Sequence, residues 1–136
     1  MAWQRKDGRL AGRRAEISID LRFRKEAPVA DLAMLHCVAV WCRESSTRER
    51  FIPVSEQGAL LEIERELKST AHRLSNGWAV YVMRIVSTGQ IHYYFYARDA
   101  GALEGLAAQL VRAFPAYRIE QECREDSGWT EYLNRL

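Results

Sequence analysis

From Arg14 to Arg24 apolar and polar residues alternate, with Ile17, Ile19, Leu21 and Phe23 on one side and Glu16, Ser18, Asp20 and Arg22 on the other. A period of two predicts a half-buried strand. Lys25 to Asp31, with Pro28 inside it, reads as a turn; Met34 to Cys42 reads as a second strand, apolar on both sides and so central in a sheet. Arg43 to Arg50 is a charged loop. The period then changes to that of a helix. Leu60, Ile63, Leu67, Ala71 and Leu74 recur at three- and four-residue spacing, behind Ser55 as a candidate N-cap and Glu56 in the first turn. Asn76-Gly77 stops that helix, because glycine takes the left-handed conformation at a helix end without strain.

Trp78 to Ser87 and Gln90 to Ala97 are two further strand runs, joined by the hairpin signal Thr88-Gly89. Asp99 is placed to cap a second helix with the stripe Leu103, Leu106, Ala107, Leu110, Val111 and Phe114, ended by Pro115. Tyr117 to Arg124 is a last strand, with Tyr117, Ile119 and Cys123 inward. The order ββα-ββα-β predicts an α+β, ferredoxin-like domain whose mainly antiparallel sheet carries two helices on one face. Each helix has a single apolar stripe, so each must dock on the sheet, and Ile17, Leu21, Leu67, Phe95 and Leu110 are expected to share one core. The strand ahead of the β-α-β-β-α-β run must sit at an edge or alter the sheet order.

The 136 residues suit one domain, and 48% hydrophobic with 28% charged content is that of an ordinary globular chain. Charge adds one feature. Residues 1–14 hold Arg5, Lys6, Arg9, Arg13 and Arg14 against Asp7 alone, so residues 1–13 read as a basic, flexible leader and 14–136 as the domain. The end is acidic, with Glu120, Glu122, Glu125, Asp126 and Glu131 outnumbering Arg118, Arg124 and Arg135. No apolar run approaches the roughly 20 residues of a membrane span, and no apolar stretch follows the first charges. Three cysteines without C-x-x-C spacing fit reduced thiols, and the expected compartment is the cytoplasm.

Chemistry is sparse. Neither G-x-G-x-x-G nor a P-loop nor a G-x-S-x-G elbow occurs, and His36, His72 and His92 fall on three different elements. No catalytic residue, metal, cofactor or small-molecule ligand is indicated, and the expectation is that the chain is not an enzyme. The run His92-Tyr93-Tyr94-Phe95-Tyr96 stands out. Alternation sends Tyr93 and Phe95 beneath the helices and His92, Tyr94 and Tyr96 to the opposite face, making those three the candidate binding residues. Aromatic residues on such a strand can stack RNA bases, but bulky Tyr93 stands where a base would need a small residue. Glu120 and Glu122, if neighbours, repel phosphate. A protein partner or a second copy is therefore expected, with nucleic acid and membrane disfavoured. Trp129 and Tyr132, three apart, form a second candidate: a plug over an open core edge or a stacking site.

Several pieces taken in order resemble the bacterial domain of unknown function (DUF) family 695. They are A-E-I-S-I-D-L (15–21), I-P-V-S-E (52–56) leading into L-x-x-I-E-x-x-L (60–67), H-Y-Y-F-Y-A-R-D (92–99) and W-x-x-Y-L (129–133). The resemblance covers most of the chain from about residue 14, although the basic leader and the charged loop before Pro53 depart from the pattern. Such domains look similar to the regulator of ribonuclease E activity B. That similarity implies a ferredoxin-like fold and, by analogy, an inhibitory protein-binding role, with no catalytic residues to carry over. The expected function is a non-enzymatic binding or regulatory module acting through protein contacts. An RNA-associated regulator is the first alternative and a small hydrolase or transferase the second.

Overall fold

The computed structural model describes residues 2–44 and 51–136, so residues 45–50 of the expected charged loop lie outside the described residues. Among the described residues six strands are present: β1 (Trp3–Leu10), β2 (Arg13–Asp20), β3 (Met34–Trp41), β4 (Ala79–Ser87), β5 (Gln90–Ala97) and β6 (Arg118–Glu125). They form one sheet in the order β1-β2-β4-β5-β3-β6, with every neighbouring pair antiparallel. Three helices accompany it: α1 (Val54–Ser75), α2 (Leu106–Ala113) and the short α3 (Thr130–Leu133). The chain is thus an α+β protein in the order βββα-ββα-βα, one strand and one helix more than ββα-ββα-β.

The extra strand corrects the reading of residues 1–13 as a flexible leader. Trp3–Leu10 pairs with β2 at all eight positions, from Trp3 opposite Asp20 to Leu10 opposite Arg13. An edge strand is held largely by its backbone bonds, so it needs few apolar side chains and shows little alternation. Trp3 is nonetheless packed, its ring 5.1 Å from that of Tyr81. A β-carbon at Gly8 would run into the Cδ1 end of the Ile17 side chain, so glycine there leaves Ile17 its place.

β2 pairs with β4, which puts the added hairpin beside β4 and leaves β3 flanked by β5 and β6. Residues 21–33 must therefore pass back across the sheet to reach β3. The strand expected to run to Arg24 ends at Asp20, where the side chain accepts the Arg22 amide and opens a 3-10 turn over Leu21–Phe23.

Both long helices lie on one face. Leu60, Ile63, Leu67 and Ala71 of α1 join Leu106 and Leu110 of α2 over Val38, Val40, Ile91, Tyr93, Phe95 and Ile119. Asn76 (φ 56°) and Gly77 (φ 81°) end α1 as the sequence predicts. Its start differs: Pro53 occupies the cap position, and the Ser55 hydroxyl instead donates to Glu44. Asp99 Oδ1 accepts the Ala102 amide and opens a 3-10 turn over Gly101–Leu103, and Gly105 at φ 82° separates that turn from α2.

The other face carries a second core of Ala15, Ile17, Ile19, Leu35, Val82, Met83, Ile85, Tyr94 and Tyr96, closed by Leu32, Trp129 and Tyr132. Ile17 belongs here with Leu21 packed against it, not with Leu67, Leu110 and Phe95 as the shared-core expectation had it. A strand's period of two tells which residues lie together but not which face the helices take. Cys123, expected inward, is exposed on β6, an edge strand. Among the described residues no helix is long and apolar enough to cross a membrane.

Candidate functional site

The sequence offered His92, Tyr94 and Tyr96 as an open sheet face, and Trp129 with Tyr132 as a separate plug. The structure joins the two sets. Alternation does put His92, Tyr94 and Tyr96 on the face away from α1 and α2, but the crossing segment and the C-terminal turn cover it. Tyr94 is 6% exposed and Tyr96 fully buried. Trp129 stacks on Tyr96 with centroids 4.0 Å apart and planes 7° from parallel, while Tyr132 meets the edge of Trp129 at 5.6 Å.

Polar atoms pin this arrangement. The Trp129 indole Nε1 donates to the Leu32 carbonyl at 2.8 Å, and the Tyr132 hydroxyl donates to the Asp20 carbonyl at 2.6 Å. The Tyr96 hydroxyl donates to Asp126 Oδ2 at 2.7 Å, and the same carboxylate caps α3 by accepting the amides of Thr130 and Glu131. Burial raises the Asp126 pKa, but these three bonds outweigh it and hold the carboxyl below the ordinary range. Burial and the bond to Asp126 push the Tyr96 hydroxyl far up, so it remains a donor. Tyr96, Trp129 and Tyr132 therefore have structural work and no surface to offer a partner. Trp129 and Tyr132 thus close part of the second core, over Tyr96.

His92 alone of the first set stays half-buried. With Tyr94 it lines a pocket of about 570 Å³, together with Leu10, Leu35, Cys37 and Glu122. Cys37 Sγ lies 3.7 Å from His92 Nδ1, and Cys123 Sγ lies 3.6 Å from His36 Nε2. A nucleophilic cysteine needs the thiolate beside an imidazolium. Burial does the reverse in both pairs. It pushes the Cys37 thiol up to about 12 and raises Cys123, while it lowers His92 and His36. In both pairs the surroundings thus favour the uncharged thiol and the uncharged imidazole. Among the described residues no group of three or more His, Cys, Asp or Glu side chains is placed to hold a metal ion. Glu120 and Glu122 do not border β5, because β3 intervenes: Glu122 opposes Cys37, which opposes Tyr94.

A second cleft, of about 520 Å³, opens on the helix face between the first half of α1 and the β1-β2-β4 end of the sheet. Sequence reasoning missed it. Glu64 projects from α1 into it and accepts from Arg84 Nη1 at 2.9 and 3.1 Å and from the Tyr81 hydroxyl at 2.8 Å. Burial and the adjacent Glu64 raise the Tyr81 hydroxyl well above its ordinary value. Arg84 opposes Tyr93 on β5, so strand register delivers the guanidinium under the helix. Leu60, Val86 and Ile91 supply apolar wall, and Phe51, Ile52 and Leu61 line the same cleft. Leu61 is 61% exposed at its mouth. The signal in the sequence was Leu60-Leu61, an apolar pair where one helical stripe uses only the first. The rim carries Asp7, Glu16 and Arg14, and with the Glu64–Arg84 pair the lining is acidic by one charge.

The model of a family described as "Family of unknown function (DUF695)" matches residues 1–136, which includes the N-terminal strand outside the stretch where the sequence showed resemblance. No curated protein matches the chain.

Proposed function

Since the chain belongs to the family of unknown function DUF695, we propose that it is a non-enzymatic binding module, acting through contact with another protein at the cleft between α1 and the β1-β2-β4 end of the sheet. One observation carries this reading: Leu61 stands exposed at the mouth of a cleft whose floor is an internally compensated ion pair and whose wall is apolar. An apolar side chain of a partner gains burial there, since water leaves apolar surface on both sides. The acidic excess of the lining disfavours phosphate, which supports a protein partner over RNA. The Cys–His pairs, whose surroundings favour the uncharged forms, support a binding role over nucleophilic catalysis.

The order β4-β5-β3-β6, antiparallel throughout with α1 and α2 on one face, supports a ferredoxin-like reading of those four strands, with β1-β2 appended beside β4. By analogy with the regulator of ribonuclease E activity B the contact would be inhibitory, and the compartment is the cytoplasm.

Affinity capture from native lysate, with and without nuclease, tests the reading on wild type, Leu61→Asp and Val111→Asp. Val111 is exposed on α2 and serves as control. Proteins retained after nuclease by wild type and Val111→Asp, and lost by Leu61→Asp, support it. Loss of all partners on nuclease treatment would favour the RNA-associated alternative, and equal recovery by Leu61→Asp would remove the cleft from the account.

A further inference from the structure

Among the described residues the sheet has two free edges, β1 and β6, and they are finished differently. At β1 the chain end closes in, with Arg135 Nη1 donating to the Arg9 carbonyl at 2.6 Å. β6 is an unbroken eight-residue strand whose side chains are exposed except at Ile119 and Gln121. Gln121 is turned inward, accepting the Ala107 amide and donating to the Leu103 carbonyl. The Asp126 amide, one step past the strand, donates to the Ala33 carbonyl on the β3 side. Backbone groups of an antiparallel strand point alternately to its two sides, so Ile119, Gln121, Cys123 and Glu125 direct theirs to the empty edge.

We infer that β6 pairs antiparallel with β6 of a second copy of this chain, about a two-fold axis at Cys123. Charge selects the register. Opposed residues in a continuous sheet share a face, which sets Arg118, Glu120, Glu122 and Arg124 against one another. An axis at Gln121 would oppose Arg118 to Arg124 and Glu120 to Glu122, all like charges. An axis at Glu120, Glu122 or Arg124 places that charge against its own copy. Axes nearer the strand ends leave most of β6 unpaired. At Cys123, Glu122 meets Arg124 of the other copy twice, and Gln121 meets Glu125 twice. The outward backbone groups of Gln121, Cys123 and Glu125 then all find partners. At the next step Glu120 would meet Asp126, whose carboxylate is turned inward onto Tyr96 and the α3 amides. Charged side chains commonly protect an edge from pairing; this set does so in every central register but one. The contact lies apart from the α1 cleft and does not depend on it.

Sedimentation of the full chain over a concentration series tests this with Glu122→Lys, Arg124→Glu and the exchanged pair Glu122→Arg/Arg124→Glu. Both positions are exposed on the edge strand, and circular dichroism verifies that each variant keeps its fold. Wild type should dimerise, each single change should weaken the dimer at least tenfold, and the exchange should restore it. A short bismaleimide should link two copies through Cys123 in wild type and the exchanged pair, and not in Cys123→Ser. A wild type monomeric at the highest concentration, single variants that dimerise like wild type, or a folded exchange variant that stays monomeric would each overturn the inference.

Discussion

The two faces of the sheet are buried by different means. On one, α1 presents a stripe of four buried apolar side chains and α2 adds Leu106 and Leu110, so the core is assembled from regular elements read against a regular sheet. On the other, an irregular crossing segment and a four-residue helix do the same work, and the rings of Tyr96, Trp129 and Tyr132 are each fixed by a named polar bond. Dispersed aliphatic packing tolerates adjustment, whereas an aromatic lid held at single points should fail abruptly when one point goes.

Removing the lid should have the largest effect. Trp129→Ala should lower unfolding stability by about 3–5 kcal/mol, the cost of truncating a buried large aromatic residue, measured by urea denaturation. Leu67→Ala, fully buried on the helix face, should cost about 2–5 kcal/mol in the same experiment. A Trp129 variant far more stable than the Leu67 variant would mean that the second face is a loose cover and not a core.

A smaller effect isolates the polar pin. Tyr96→Phe keeps the ring and removes the donor to Asp126, with an expected loss of about 1–3 kcal/mol at neutral pH. Because the Asp126 carboxyl is held below its ordinary value, its contribution is present above the free carboxylate range of roughly 4 and disappears as pH falls through the lowered native value. The gap between wild type and Tyr96→Phe should therefore narrow in urea titrations taken from pH 7 towards pH 3. Leu61→Asp should be smallest of all, within about 0.5 kcal/mol of wild type, since it changes an exposed site while abolishing partner capture.

The same contrast explains what could be read from the sequence. The α1 stripe and its Asn76-Gly77 end, the Thr88-Gly89 hairpin and the split of Tyr93 and Phe95 from Tyr94 and Tyr96 are local periodicities, and the structure has them all. Coverage of a face is not local. Nothing near Tyr96 announces that Trp129, thirty-three positions on, will stack upon it, so an alternating aromatic run looked like an open surface. Val82 and Met83, both fully buried beside a bulge in β4, likewise break the period within the second core. β1 failed for the opposite reason: its pairing is carried by backbone atoms that every sequence possesses. The α1 cleft joins Glu64 and Arg84, twenty positions apart, and depends on β4 lying under α1, which periodicity alone does not specify.

In the native state the aromatic face is closed by Trp129 and Tyr132. The Trp129 indole N–H reports this most directly, since it is buried and bonded to the Leu32 carbonyl, whereas Trp78 is half exposed over Arg98. Hydrogen exchange of the indole protons, assigned by Trp129→Phe and Trp78→Phe, should show the Trp129 proton exchanging only through global unfolding and the Trp78 proton exchanging freely. A Trp129 proton lost as fast as that of Trp78 would show the lid open, and would return Tyr94 and Tyr96 to the surface as the binding face.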